Sequence, residues 1–124
     1  MTEPDQKAIL VVDDDPSLRD MIAMTMEMEG FSVLTAADGQ EALSAVERGM
    51  PALILLDMKM PVMNGWQFAA EYHSRFDRKA PIVVLTAAHD ARERAREVGA
   101  VGWIGKPFDL DILINTVRRH TSVP

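Results

Sequence analysis

Cysteine is absent from this 124-residue chain, so neither a disulfide framework nor a thiolate zinc site can form, which suits a reducing compartment. Positive charge is in deficit: 13 Lys and Arg against 19 Asp and Glu leave a formal net charge of −6. A nucleic-acid binder needs a basic face to neutralise phosphates, so this balance argues against that class. No apolar run approaches the ~20 residues of a membrane span. The polar, acidic start Met1-Thr2-Glu3-Pro4-Asp5-Gln6 is unlike a signal peptide. Linkers, repeats and low-complexity stretches are missing as well. Together these absences lead to the expectation of a cytoplasmic protein without a membrane partner.

What is present is ordinary globular usage, 48% hydrophobic and 26% charged, at a length that fits one domain. Strand-like apolar runs near 7–12, 31–36, 52–57, 81–86 and 102–104 alternate with helical patterns. That alternation marks an α/β fold with a parallel sheet. The runs at 8–12, 52–56 and 82–85 are apolar throughout, as strands covered on both faces are. Phe31-Ser32-Val33-Leu34-Thr35-Ala36 mixes polar and apolar residues and reads as an edge strand.

The first helix begins at Pro16 behind the cap Asp15 and stops at Gly30. The spacing predicts Leu18, Met21, Ile22, Thr25, Met28 and Glu29 on one face, with Met24 and Met26 harder to bury. The second helix runs over about 39–48, with Asp38 and Glu41 spaced like a capping box. The third starts after Asn64-Gly65, the fourth spans about 90–98, and the fifth about 109–120 with Leu110, Leu113, Ile114 and Val117 inward. Arg92, Arg94 and Arg96, interleaved with Glu93 and Glu97, read as a solvated helix face. His73, His89 and His120 fall on helix surfaces or ends without a ligand-like partner.

Two apolar runs end abruptly in acid. Asp13-Asp14-Asp15 follows Ala8-Ile9-Leu10-Val11-Val12, and Asp57 follows Ala52-Leu53-Ile54-Leu55-Leu56. In an open parallel sheet, ligands bind beyond the carboxyl ends of the strands where the strand order reverses. Crowded carboxylates there disfavour one another's ionisation unless a cation is shared. Oxygen-only donors suit a hard cation such as Mg²⁺, and the lack of a nearby His or Cys argues against zinc. Asp57 is the candidate nucleophile. Thr86, after Ile82-Val83-Val84-Leu85, and Lys106, after Gly102-Trp103-Ile104-Gly105, bring a hydroxyl and an ammonium suited to phosphoryl oxygens.

Four motifs in this order, Val11-Val12-Asp13-Asp14-Asp15-Pro16, Leu56-Asp57-Met58-Lys59-Met60-Pro61-Val62-Met63-Asn64-Gly65, Leu85-Thr86-Ala87-Ala88 and Lys106-Pro107-Phe108, carry a resemblance from Ile9 to about Arg119. The chain resembles the receiver domains of bacterial two-component response regulators. The resemblance implies a flavodoxin-like, doubly wound fold with five parallel strands in the order 2-1-3-4-5 and five flanking helices. One receiver domain would cover residues 1–124, with 1–6 flexible. Asp57 would accept a phosphoryl group from a histidine kinase or phosphotransfer protein. Asp13, Asp14, Asp57 and the backbone carbonyl of Lys59 would hold Mg²⁺. Thr86 would move toward the phosphoryl group, Lys106 would bind it, and the Lys106-Pro107 bond would be cis.

Trp103 stands where the family usually has Tyr or Phe as a switch residue, and its larger size makes inward rotation harder. By the same resemblance, Lys59 and Ala88 sit where the family tunes loss of the phosphoryl group. Neither can orient a water, so a long-lived phosphoryl group is expected. A downstream protein would meet the fourth helix, fifth strand and fifth helix, where Ile112 lies off the core stripe, on a monomer or a phosphorylation-dependent dimer. Such a domain modifies itself and is not a turnover enzyme. One alternative is a receiver cut from a longer regulator or hybrid kinase. Another is a Mg²⁺-dependent phosphohydrolase with Asp57 as nucleophile. Phosphatases of the haloacid dehalogenase type carry a second Asp two residues on, where this chain has Lys59.

Overall fold

Five strands and five helices alternate along the chain in a computed structural model that describes residues 8–77 and 79–121. They are β1 (Ala8–Val12), α1 (Pro16–Met28), β2 (Ser32–Ala36), α2 (Gly39–Arg48), β3 (Leu53–Leu56), α3 (Gly65–Arg75), β4 (Ile82–Ala87), α4 (Ala88–Val98), β5 (Gly102–Lys106) and α5 (Leu110–His120). The expected flexible segment 1–6 lies outside the described residues. All strand pairs are parallel, in the order β2-β1-β3-β4-β5. β2 is an edge strand, as its mixed pattern predicts.

Alternate residues of the central strands feed two cores, because a strand's side chains point to opposite faces. Leu10, Val12, Ile54, Leu56 and Val84 pack with Val46, Phe68, Tyr72 and Val98 of α2, α3 and α4. Ile9, Val11, Leu53, Leu55, Val83 and Leu85 pack with Ile22, Met26, Leu113 and Val117 of α1 and α5. This double cover explains the unbroken apolar runs.

The caps follow local chemistry. Asp15 accepts from the amides of Ser17 and Leu18, and Asp38 from Glu41. Glu41 reaches back to the Ala37 amide and not to that of Asp38, so the expected box is offset by one residue. A full capping box does form at α3, where the Asn64 side chain takes the Gln67 amide and Gln67 returns to the Asn64 amide.

Three helix expectations are corrected. In α1 the buried pair is Ile22 and Met26, whereas Met28 is 82% exposed and Met21 also faces outward; Met24 is exposed as expected. Ile22 and Met26 are four apart and share one narrow ridge against the sheet, which leaves Met21 and Met28 in solvent while Leu18 packs against the same core as expected. In α5, Leu110 is exposed at the first helical position, ahead of the point where the helix meets the sheet, and Thr116 is buried in addition to Leu113 and Val117. Helix α4 starts at Ala88 and not near 90, because β4 runs straight into it. Gly105 makes room for this junction: a Cβ there would lie 2.6 Å from the Ala88 Cα.

Candidate functional site

Register places the acids. Val12 of β1 lies opposite Leu56 of β3, so the next residues, Asp13 and Asp57, emerge side by side. The Asp57 amide donates to the Val12 carbonyl at 2.9 Å and extends the ladder by one step. On the other side of β3, Thr86 pairs in register with Gly105, and Ala87 with Lys106. The hydroxyl and the ammonium therefore leave neighbouring strand ends at the same rim. The Lys106-Pro107 bond that follows is cis, as expected.

Asp13, Asp14 and Asp57 each offer a carboxylate oxygen, all within 4.8 Å of one another. Asp13 and Asp57 are buried, Asp14 is exposed, and Thr86 is buried. The Lys106 Nζ donates to Asp13 Oδ2 at 2.9 Å and lies 3.7 Å from Asp57 Oδ1. Asp57 Oδ1 accepts the Met58 amide at 2.8 Å, and Asp13 Oδ1 accepts the Asp15 amide at 2.9 Å. Burial pushes the Asp57 carboxyl from 3.8 up to about 6; the negative charge of Asp13 adds to the rise, Lys106 and the Met58 amide oppose it, and Asp14 adds the smallest push.

Three carboxylates against one ammonium leave this rim with surplus negative charge, which a divalent cation would neutralise. Mg²⁺ holds oxygens at about 2.1 Å, which allows ligand oxygens to lie up to about 4.2 Å apart. The cluster needs only a slight contraction, or an intervening water, to meet that. The oxygen-only donor set fits the same ion. Lys59 is exposed, and among the described residues no hydrogen bond reaches its carbonyl, whereas the Met58 carbonyl is taken by the Gly65 amide at 2.8 Å.

Some contributors had no signal in the sequence. Arg19 Nη1 donates to the Asp13 carbonyl at 2.8 Å and steadies the acidic turn from one helical turn away. Gly65 packs directly beneath the nucleophile: a Cβ there would stand 2.7 Å from the Asp57 carbonyl oxygen and 2.8 Å from the Met58 Cα. Gly65→Ala is expected to lower stability by about 1–3 kcal/mol, because backbone on that side cannot yield as a flexible side chain would. Urea denaturation checks this, and an unchanged midpoint would mean the loop relaxes freely. Trp103 points outward at 48% exposure and lines a groove of about 710 Å³ with His89, Arg92 and Arg96 of α4. No histidine reaches the acids among the described residues; His73 Nε2 instead donates to the Val98 carbonyl at 2.9 Å.

Residues 9–118 match the family model described as the response regulator receiver domain. The chain belongs to that family. This receiver is 41% identical over 115 residues to the DNA-binding response regulator MtrA of Mycolicibacterium smegmatis, covering 91% of this chain and 50% of MtrA. Among solved structures it is similar to the chemotaxis response regulator CheY4 of Vibrio cholerae, at 36% identity and a TM-score of 0.80, covering 90% of this chain and 96% of that one. It is likewise similar to the response regulator protein TrrA of Thermotoga maritima, solved in complex with Mg²⁺-BeF, at 32% identity and a TM-score of 0.80, covering 91% and 97%. The receiver spans about half the length of the curated relatives it matches. Receiver domains are phosphoacceptor signalling switches, and the observed strand order is the one their fold requires.

Proposed function

We propose that Asp57 is the phosphoacceptor of this receiver and that its donor is the phosphohistidine of a histidine kinase or phosphotransfer protein. The observation that carries the reading is the meeting of Asp13, Asp14 and Asp57 with Lys106 at the ends of β1, β3 and β5. Asp57 Oδ2, which accepts no hydrogen bond among the described residues, attacks phosphorus. The P–N bond to the donor imidazole breaks, its electron pair stays on the imidazole nitrogen, and Asp57 becomes a mixed anhydride. Asp13, Asp14, Asp57 and the Lys59 carbonyl would hold Mg²⁺, which when bound supplies charge neutralisation for the phosphoryl oxygens. Lys106 exchanges its contact with Asp13 for a phosphoryl oxygen, and Thr86 donates its hydroxyl to another.

Phosphorylation shifts a two-state equilibrium only through such differential contacts. Thr86 and Lys106 lie at the ends of β4 and β5, next to α4, so the downstream protein meets α4, β5 and α5. The exposed Trp103, Leu110 and Ile112 lie on these elements and support that surface. Outward Trp103 is the unphosphorylated arrangement of the switch. The receiver works as a monomer or as a dimer formed on phosphorylation. Its surplus acid supports a protein partner and no direct nucleic-acid contact. Among the described residues no helix is long and apolar enough to cross a membrane, in keeping with a cytoplasmic place of action. We take residues 1–124 as one receiver domain, of which 9–118 match the family model.

The test is intact-mass measurement after incubation with phosphoramidate. The native chain is expected to gain one phosphoryl group with Mg²⁺ and none with a chelator, and Asp57→Ala to gain none under either condition. Equal labelling of the variant would remove Asp57 from the role. Because Lys59 and Ala88 carry no acid or amide to orient water, the label is expected to persist through buffer exchange in Mg²⁺. Rapid loss of phosphate would contradict that.

A further inference from the structure

Among the described residues, side-chain bonds tie helix α4 to a neighbouring helix at one end only. Its N-terminal cap, Ala87, offers no side-chain hydrogen bond, and this end joins Thr86 of the site through that single residue. Its C-terminal half is tied to α3 by three side chains. Trp66 Nε1 donates to Glu97 Oε1 at 2.8 Å, Arg94 Nη2 donates to Glu97 Oε2 at 3.2 Å, and the Arg94 guanidinium lies 5.5 Å from the centre of the Trp66 ring. Arg94 is thus not part of a solvated basic face. His73 Nε2, also on α3, donates to the Val98 carbonyl at the end of α4, one of the carbonyls a helix end leaves without an intrahelical partner.

The other end of this connection is the site itself. α3 begins with the Asn64–Gln67 capping box and with Gly65, whose amide bonds the Met58 carbonyl. Gly65 is also pressed against the Asp57 carbonyl. Trp66 follows immediately. The last turns of α4 are therefore held in a frame that includes the backbone of Asp57, whereas its first turn, beside Thr86, is held by packing alone, Ala88 against Gly105 and Ala91 in the core. The groove of about 710 Å³ runs beside α4 from His89 to Arg96 and reaches Trp103 of β5.

From this we infer that Trp66, Arg94 and Glu97 form a pivot: when Thr86 is drawn toward a phosphoryl group, α4 swings at its N-terminal end about a clamp that stays closed. These three are positioning residues, and the inference rests on the phosphoacceptor reading of Asp57. Without the clamp, a pull on Thr86 would shift or loosen the whole helix and the response would lose its direction.

Amide hydrogen exchange of the full chain, with Mg²⁺ and with or without phosphoramidate, tests this, with intact mass read on the same samples. Phosphorylation is expected to change exchange across 88–92 several-fold and across 94–98 by less than about twofold. Glu97→Ala is expected to speed exchange at 94–98 by about tenfold before any donor is added and to erase the contrast between the two ends. Glu97→Gln keeps an acceptor for the Trp66 indole and is expected to restore most of that contrast, which a general loss of stability would not allow. A labelled chain whose exchange changes equally along α4, or a Glu97→Ala chain that keeps the native contrast, overturns the pivot and leaves the phosphoacceptor reading intact. A chain that takes up no phosphoryl group overturns both.

Discussion

Asp57→Asn is expected to be more stable than the native chain in magnesium-free buffer near neutral pH. Burial and the Asp13 charge raise the Asp57 carboxyl from 3.8 to about 6. A folded-state pKa above the unfolded one means the group's stabilising contribution is complete below about 3.8 and is lost as pH rises through about 6. At neutral pH the native chain therefore carries an ionised carboxylate that its surroundings disfavour. The Asn side chain has nearly the same shape and can still accept the Met58 amide, but it carries no charge. The expected gain is about 1–3 kcal/mol near neutral pH, shrinking to nothing below about pH 4.

Urea midpoints measured across that pH range check the sign. Saturating Mg²⁺ is expected to reverse the order, since an ion bound at about a hundred times its Kd adds about 2.7 kcal/mol to the form that holds it, and the variant lacks one of the three acids. If the variant is no more stable than the native chain without metal, Asp57 does not share a crowded acidic pocket. The switch would then have lost its electrostatic basis.

Lys106→Met is expected to act in the opposite direction. The Lys106 ammonium is the counter-charge within contact of both buried acids, 2.9 Å from Asp13 and 3.7 Å from Asp57. Removing one partner of a buried pair leaves an uncompensated charge, which is costlier than never having had the pair. Because the Lys106 side chain is 28% exposed, water recovers part of the loss. The expected destabilisation is about 2–4 kcal/mol without metal and markedly less with saturating Mg²⁺.

A double-mutant cycle with Asp57→Asn separates the two acids. If the double variant regains only a small part of the loss, Asp13 is the main partner of Lys106, as the shorter distance implies. If it regains most, the 3.7 Å contact dominates. A Lys106→Met chain as stable as the native one would show that the pocket is solvated enough to need no counter-charge. Phosphoramidate is still expected to label Lys106→Met at Asp57, but the exchange pattern of α4 should respond less, since the group that reads the phosphoryl charge is gone.

Much of the site was legible because its signals are local. An apolar run that stops at an acid must release that acid at the end of a strand, and the order Asp13, Asp57, Thr86, Lys106 along the chain places one group on each of β1, β3, β4 and β5. The caps Asp15 and Asp38 act within three residues, so they too can be read from neighbours. The order in which strands lie side by side is not local; it came from resemblance to a family and is borne out by the pairing. The stripe on α1 shows where periodicity runs out. It selects a helix face to within one residue's rotation, but Met26 rather than Met28 is buried because the angle at which α1 rests on the sheet belongs to both partners.

By itself, then, the amino-acid sequence determined the alternating elements, the double-sided core and the acids at strand ends, since these follow from dihedral preferences and from which side chains avoid water. Only the tertiary structure decided that Lys106 pairs with Asp13 across 93 positions and that Trp66 meets Glu97 across 31. It alone seated the start of α4 against Gly105 by packing and tied its end to α3 through Trp66 and Glu97. The physical reason is that such pairings depend on how whole helices dock on the sheet, which is set by the summed packing of many side chains and leaves no mark on the spacing of any one segment.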